Sequence, residues 1–132
     1  MGRQIITYPQ SIRDMCGIDT VIFTYSTDVA YKLRQLIDSE YQIIFHNLDI
    51  DDEEELEWVQ DALYHSHIFI VTESNTPFIC GYALSYAINQ HPELVIGYGA
   101  SDEVSDFISL IIKDRLNTFT DITELADFIK DQ

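Results

Sequence analysis

The chain has 132 residues, 46% of them hydrophobic, and 23 acidic against 7 basic side chains give it a formal net charge of −16. This surplus of acid argues against direct binding of nucleic acid or of an anionic membrane, because such binding depends on basic side chains that neutralise phosphates. The length is that of one globular domain. We therefore expect residues 1–132 to form a single unit.

Neither a membrane span nor a disulfide framework is expected. No apolar run approaches the roughly 20 residues that cross a bilayer, and the first residues lack the pattern of a secretory signal. Cys16 and Cys80 are far apart and form no paired motif. These features predict a cytoplasmic protein with reduced thiols, no metal site and no cofactor.

Apolar runs and helical patterns alternate along the chain. Runs rich in β-branched and aromatic residues predict buried strands, with a short fifth strand near the end: Thr20 to Tyr25, Tyr41 to Phe45, His67 to Thr72, Leu94 to Tyr98 and Thr118 to Thr120. Helical spacing of apolar residues predicts five helices: Asp28 to Ile37, Asp51 to Leu63, Phe78 to Asn89, Val104 to Leu116 and Ile122 to Lys130, the last capped by Asp121 or Thr123.

Apolar strands that alternate with helices are typical of a parallel sheet covered on both faces. With right-handed crossovers, the pattern predicts an α/β fold: a single three-layer, doubly wound domain with a mainly parallel five-stranded sheet, of flavodoxin-like size. Residues 1–18 fit this scheme least well. Within them, Gln4 to Tyr8 either adds an edge strand or wraps the surface.

Ligands of such sheets bind at the carboxyl ends of the strands. The predicted loops there supply the candidate binding residues: Tyr25, Ser26, His46, Asp49, Asn75, Thr76, Phe78, Gly81 and Tyr98. The rings of Tyr25, Phe78 and Tyr98 suit stacking on a nucleobase, and core packing is the alternative use of the same rings. His46 either hydrogen-bonds a ligand or is a loop histidine whose hydrogen bonds are satisfied within the protein.

Catalytic motifs are missing from the sequence. It contains no GxSxG elbow, no P-loop and no GxGxxG turn. Cys80 lies in the first turn of a predicted helix, a position that favours a thiolate, although cysteines at such positions are more often buried apolar residues. We therefore leave enzymatic activity open and lean towards a protein without it.

Acidic residues concentrate between Asp49 and Glu57. A calcium loop starting at Asp49 requires glycine at its sixth position, where Glu54 stands, so the calcium pattern fails. Acids at the start of a helix are favoured by its dipole. The run is thus either a solvated helix start or a surface on which a basic macromolecule docks.

The segment Ile68 to Ile96 resembles the core of the nucleoside deoxyribosyltransferase-like family, with Gly81-Tyr82-Ala83 on the predicted helix and Leu94-Val95-Ile96 as the following strand. A looser resemblance extends from Thr20 to the end. The resemblance to this family implies an α/β domain that binds a nucleoside or nucleotide. The nucleophilic glutamate of that family stands two residues before the glycine. Here that position is Ile79, which cannot form the covalent sugar intermediate.

Three hypotheses of function follow. The first is a nucleoside- or nucleotide-binding domain that lacks the transferase nucleophile, a pseudoenzyme. The second is an acidic interaction or inhibitor protein that docks on a basic partner. The third is an N-glycosidic hydrolase or transferase that uses Glu73 with Asp49 or Asp51 as its second carboxylate. Tyr82 and Tyr86 either form a homo-oligomer contact or face the sheet.

Overall fold

The computed structural model describes residues 4–12, 20–38, 40–72, 94–99, 103, 106, 108–110 and 116–132. The strands are β1 (Thr20–Thr24), β2 (Tyr41–Phe45), β3 (Ile68–Val71), β4 (Leu94–Tyr98) and β5 (Asn117–Phe119). The helices are α1 (Thr27–Leu36), α2 (Glu53–His65) and α3 (Ile122–Lys130). Further helical residues lie between β4 and β5, at 103, 106 and 108–110.

The five strands form one sheet in the order β2-β1-β3-β4-β5, and every neighbouring pair is parallel. The chain runs from β1 outward to β2, and then crosses back past β1 to reach β3. The strand order therefore reverses between β1 and β3. The predicted α/β fold of flavodoxin-like size is confirmed.

Two hydrophobic cores lie on opposite faces of the sheet. Phe23 and Phe69 pack beneath α2 with Val59 and Leu63, and the two rings meet edge to face with centroids 5.6 Å apart. The opposite core joins β-strand isoleucines to residues of α1 and α3: Ile22, Ile43, Ile70, Ile96, Leu33, Leu125 and Ile129. Alternate residues of a strand face opposite ways, so each central strand contributes to both cores.

Short polar side chains cap the helices. Ser26 Oγ accepts from the Val29 N–H at 3.3 Å to begin α1, and Asp52 Oδ1 accepts from the Glu55 N–H at 2.8 Å to begin α2. Of the two caps predicted for α3, Asp121 takes the position. Because Asp52 rather than an earlier residue is the cap, α2 begins two residues later than predicted.

Other predicted boundaries are close to those observed, with one clear error. Tyr41 to Phe45, Leu94 to Tyr98 and Ile122 to Lys130 agree with the structure. Leu116 was predicted to end a helix, but it is a buried non-helical residue directly before β5. The predicted helix Phe78 to Asn89 lies outside the described residues. In the part of the chain that is described, no helix is both long and apolar enough to span a bilayer.

The N-terminal segment both extends the sheet and wraps the surface. Ile6 forms a single parallel bridge to β2, donating to the Ile43 carbonyl and accepting from the Phe45 N–H, each at 2.9 Å. Further along, the Gln10 carbonyl accepts from Trp58 Nε1 at 2.8 Å, and Ile12 is buried in the core beneath α2. Of the two alternatives for Gln4 to Tyr8, the structure shows a single bridge at the sheet edge, and residues 10–12 continue over the face that carries α2.

Candidate functional site

The carboxyl edge of the sheet carries those predicted site residues that the structure describes. Tyr25 and Ser26 follow β1, His46 and Asp49 follow β2, and Tyr98 ends β4. The remaining predicted residues lie outside the described residues, together with the positions considered for catalysis: Asn75, Thr76, Phe78, Gly81, Glu73, Ile79 and Cys80.

Tyr25 connects the ends of β1 and β3. Its hydroxyl accepts from the Thr72 N–H at 2.8 Å and donates to the Thr72 carbonyl. Its ring packs edge to face on Phe69 with centroids 6.1 Å apart, and only 8% of the residue is exposed. These are the contacts of a buried residue that joins two strands, so the Tyr25 ring belongs to the core.

Ser26 organises the start of α1. Its N–H donates to Thr24 Oγ1 at 3.2 Å while its own hydroxyl caps the helix. Asp28 in the first turn forms an ion pair with Lys32, 3.1 Å between Oδ2 and Nζ, and this hydrogen bond raises the pKa of Lys32 above its usual value. A carboxylate at this helix start opposes the binding of a phosphate there.

His46 is buried and engaged at both ring nitrogens. Nδ1 accepts from the Leu48 N–H at 2.8 Å, so this nitrogen carries no proton. Nε2 therefore holds the proton and donates to Glu55 Oε2 at 2.7 Å. With 5% of the residue exposed, His46 is a loop histidine satisfied within the protein, the second of the two uses predicted for it.

Glu55 connects this histidine to the start of α2. Its second oxygen, Oε1, accepts from the Asp51 N–H at 3.2 Å, and its own N–H is bound by the Asp52 cap. Each carboxylate oxygen thus has its own donor. In the sequence, Glu55 is one of several acids at the start of this helix. The spacing Asp52-x-x-Glu55 resembles a capping box and is the signal that could have singled it out.

Aromatic rings surround the imidazole. Tyr8 meets Trp58 edge to face at 5.5 Å between centroids, and His46 lies 6.3 Å from Tyr8 and 5.8 Å from Trp58. Burial raises the pKa of Tyr8, and the carboxylates of Asp52, Glu54 and Glu55 raise it further. No local pattern places Tyr8 beside α2, so this cluster was not predicted.

The loop after β2 contains a left-handed residue. Leu48 is buried and has a φ of 65°, a conformation that costs a branched side chain free energy. The bond from its N–H to His46 holds the turn in place. Asp49 follows on the surface, where its N–H donates to Asn47 Oδ1 at 3.0 Å, and its carboxylate is exposed to solvent.

Tyr98 lies on the other face of the sheet from Tyr25 and His46. It is half-buried and packs against the core shared by α1 and α3, whereas Tyr25 belongs to the core beneath α2. Gly99 then turns the chain with a φ of 63° and donates to the Phe119 carbonyl at 2.9 Å. Those predicted site residues that the structure describes thus share one edge but divide between its two faces.

The described residues of the predicted site make their hydrogen bonds within the protein. Tyr25, Ser26 and His46 each have hydrogen-bond partners within the protein, and none is paired with a nucleophile among the described residues. Nor do these residues contain a cluster of three His, Cys, Asp or Glu side chains suited to a metal ion. Comparison with known protein families, curated proteins and solved structures finds no match for this chain.

Replacing Tyr25 with Phe tests the connection between β1 and β3. The ring and its packing on Phe69 remain, but the Thr72 N–H and carbonyl lose the hydroxyl. We expect the free energy of unfolding in urea to fall by about 1–3 kcal/mol, the usual consequence of removing one partner from a buried polar group. Tyr31→Phe is the matched control, since Tyr31 is 62% exposed. Equal stabilities of the two variants would contradict this role.

Replacing Glu55 with Gln tests the bond to His46. The carboxylate accepts one hydrogen bond at each oxygen, whereas the amide has only one acceptor oxygen. The NH2 group of the glutamine must therefore face a donor, either the Asp51 N–H or His46 Nε2. We expect a loss of about 1–3 kcal/mol in urea unfolding, against a change within roughly 0.5 kcal/mol for the exposed neighbour Glu54→Gln. A Glu55→Gln variant as stable as this control would show that the carboxylate is dispensable.

Proposed function

We propose that this chain is a nucleoside- or nucleotide-binding domain whose ligand lies over the carboxyl ends of β1, β3 and β4, on the face that carries α1. The observation that carries the proposal is the strand order β2-β1-β3-β4-β5 with all pairs parallel. In doubly wound sheets, ligands occupy the crevice where the strand order reverses. Here the reversal lies between β1 and β3.

The side chains at this edge favour the base and sugar over a phosphate. Tyr98 ends β4 with a half-buried ring, which suits stacking on a base. Among the described residues, Gly99 leaves space beyond the strand, since a Cβ added there would meet none of their atoms within 4 Å. Asp28 faces the solvent in the first turn of α1, so an unphosphorylated nucleoside is the preferred ligand.

The proposed domain binds its ligand with little or no turnover. The resemblance described above assigns the family nucleophile to the position of Ile79. His46, a described histidine at this edge, already donates to Glu55 and accepts from Leu48. An N-glycosidic activity based on Glu73 is the enzymatic alternative, and loss of that activity in Glu73→Gln is its test.

Thermal unfolding with purine and pyrimidine nucleosides and their monophosphates tests the binding proposal. A nucleoside at a hundred times its Kd should add about 2.7 kcal/mol to stability, and its monophosphate should bind more weakly. Tyr98→Leu should weaken nucleoside binding by removing the stacking surface, whereas Tyr31→Leu on exposed α1 should not. The absence of any shift, or equal shifts in both variants, would count against the site.

A second candidate function is docking on a basic macromolecule. One patch of exposed acids favours it, which we call the acidic surface: Asp49, Asp51, Asp52, Glu53, Glu54 and Glu57. Among the described residues no lysine or arginine pairs with these acids. Tyr8 and Trp58, residue types that often anchor protein interfaces, lie half-buried beside them.

Charge reversal tests docking. Replacing Glu53, Glu54 and Glu57 with Lys should weaken binding to an arginine-rich peptide, and wild-type binding should itself weaken steeply with salt because the screening length is about 8 Å at physiological ionic strength. The same three changes at the exposed acids Glu124, Asp127 and Asp131 control for net charge. If both triple variants bind equally, net charge rather than the acidic surface is responsible.

A further inference from the structure

The loop between β2 and α2 turns around one side-chain nitrogen. The Leu48 N–H donates to His46 Nδ1 at 2.8 Å, and both residues are buried, with 1% and 5% exposed. The backbone of His46 is fixed as well, because its N–H donates to the Thr24 carbonyl of β1 at 3.3 Å. The imidazole is therefore a stationary acceptor on which the turn closes.

This turn contains the left-handed Leu48, with a φ of 65°. A branched residue keeps such a conformation only where its surroundings hold it there. The Leu48 side chain packs in the core beneath α2, and its N–H is bound by the ring of His46. Loss of that bond leaves a buried N–H without its acceptor and removes a contact that offsets the strain.

A second proton on the imidazole changes one side of the ring only. In the neutral ring, Nε2 donates to Glu55 Oε2 at 2.7 Å while Nδ1 accepts from Leu48. In the imidazolium, both nitrogens are donors. The bond to Glu55 persists and becomes charge-assisted at both ends, whereas the new Nδ1–H points at the Leu48 N–H. Two donors cannot share a hydrogen bond, so protonation breaks the contact that closes the turn.

The groups that face the ring come from three elements. Glu55 of α2 occupies the Nε2 side, and the ring of Tyr8 in the N-terminal segment lies 6.3 Å away between centroids. The carboxylates of Asp52 and Glu54 act in turn on Tyr8, whose pKa they raise after burial. Trp58 of α2 and the Thr24 carbonyl of β1 contact His46 without a titrating group. The Nδ1 side is occupied by the Leu48 N–H, so protonation acts on the turn.

We propose that the turn 46–48 is a pH-sensitive switch, in which protonation of His46 releases the Leu48 N–H and opens the loop between β2 and α2. This loop carries Asp49 and Asp51, so its opening moves the first acids of the acidic surface. The switch requires neither a nucleoside nor a docking partner. It therefore stands or falls separately from both proposed functions.

Amide hydrogen exchange and imidazole 15N signals of the labelled full chain test the switch between about pH 8 and about pH 5. We expect Nε2 to carry the proton of the neutral ring. As the ring of His46 takes up its second proton, the protection factor of the Leu48 amide should fall at least about tenfold with the same midpoint. Unchanged protection through that titration, or a ring still neutral at about pH 5, would overturn the switch.

The Thr72 amide is the internal control. Its N–H also donates over 2.8 Å to a side chain, the hydroxyl of Tyr25, and phenols do not titrate in this pH range. We expect its protection factor to stay constant. An equal fall at Thr72 and Leu48 would mean that the whole chain unfolds, and would overturn a local switch.

Replacing His46 with Asn separates the acceptor from the titration. An asparagine oxygen accepts from the N–H two residues further on, so it should retain the bond to Leu48 but cannot be protonated. We expect Leu48 protection that does not change with pH. The variant keeps the carboxylates and His67, whose Nδ1 accepts from the Val21 N–H at 3.0 Å. A fall at Leu48 that persists in this variant would assign the effect to those groups, and the wild-type midpoints test the switch even if the variant does not fold.

Discussion

The structure depends on β1, which pairs in parallel with a neighbour on each side. Its residues align with β2 from Thr20 to Thr24 and with β3 from Ile22 onward. Because its side chains alternate, Phe23 enters the core beneath α2 while Ile22 enters the core beneath α1 and α3. One strand therefore connects both helical layers, and the reversal of strand order beside it creates the edge at which we place the nucleoside.

Side-chain hydrogen bonds then brace that edge. Tyr25 joins the end of β1 to Thr72 after β3, and His46 joins the end of β2 to Glu55 on α2. For both residues the sequence left two uses open, contact with a ligand or contacts within the protein. Because their donors and acceptors are used inside the protein, these two residues hold the loops in position, and the proposed recognition of a nucleoside is left to neighbours such as Tyr98.

The acidic surplus has two physical consequences. Some carboxylates perform local structural tasks, as Asp52 and Asp121 do when they cap helices. Many of the others are exposed, among them the acids of the acidic surface at the start of α2. The docking proposal depends on this exposed negative charge.

Apolar periodicity and capping residues are local signals, so the α/β class, the parallel sheet and most element boundaries, to within two residues, could be predicted from the amino-acid sequence. The prediction that a helix ends at Leu116 was wrong because this residue is buried by a contact distant in the chain. Its side chain lies so close to Gly97 of β4 that a Cβ at that position would touch it. The partners of Tyr25 and His46, and the position of Tyr98 on the opposite face, could be known only from the folded chain. These features depend on contacts between residues distant in the chain and on the register of the strands. A shift of one residue in register moves a side chain at a strand end from one face of the sheet to the other.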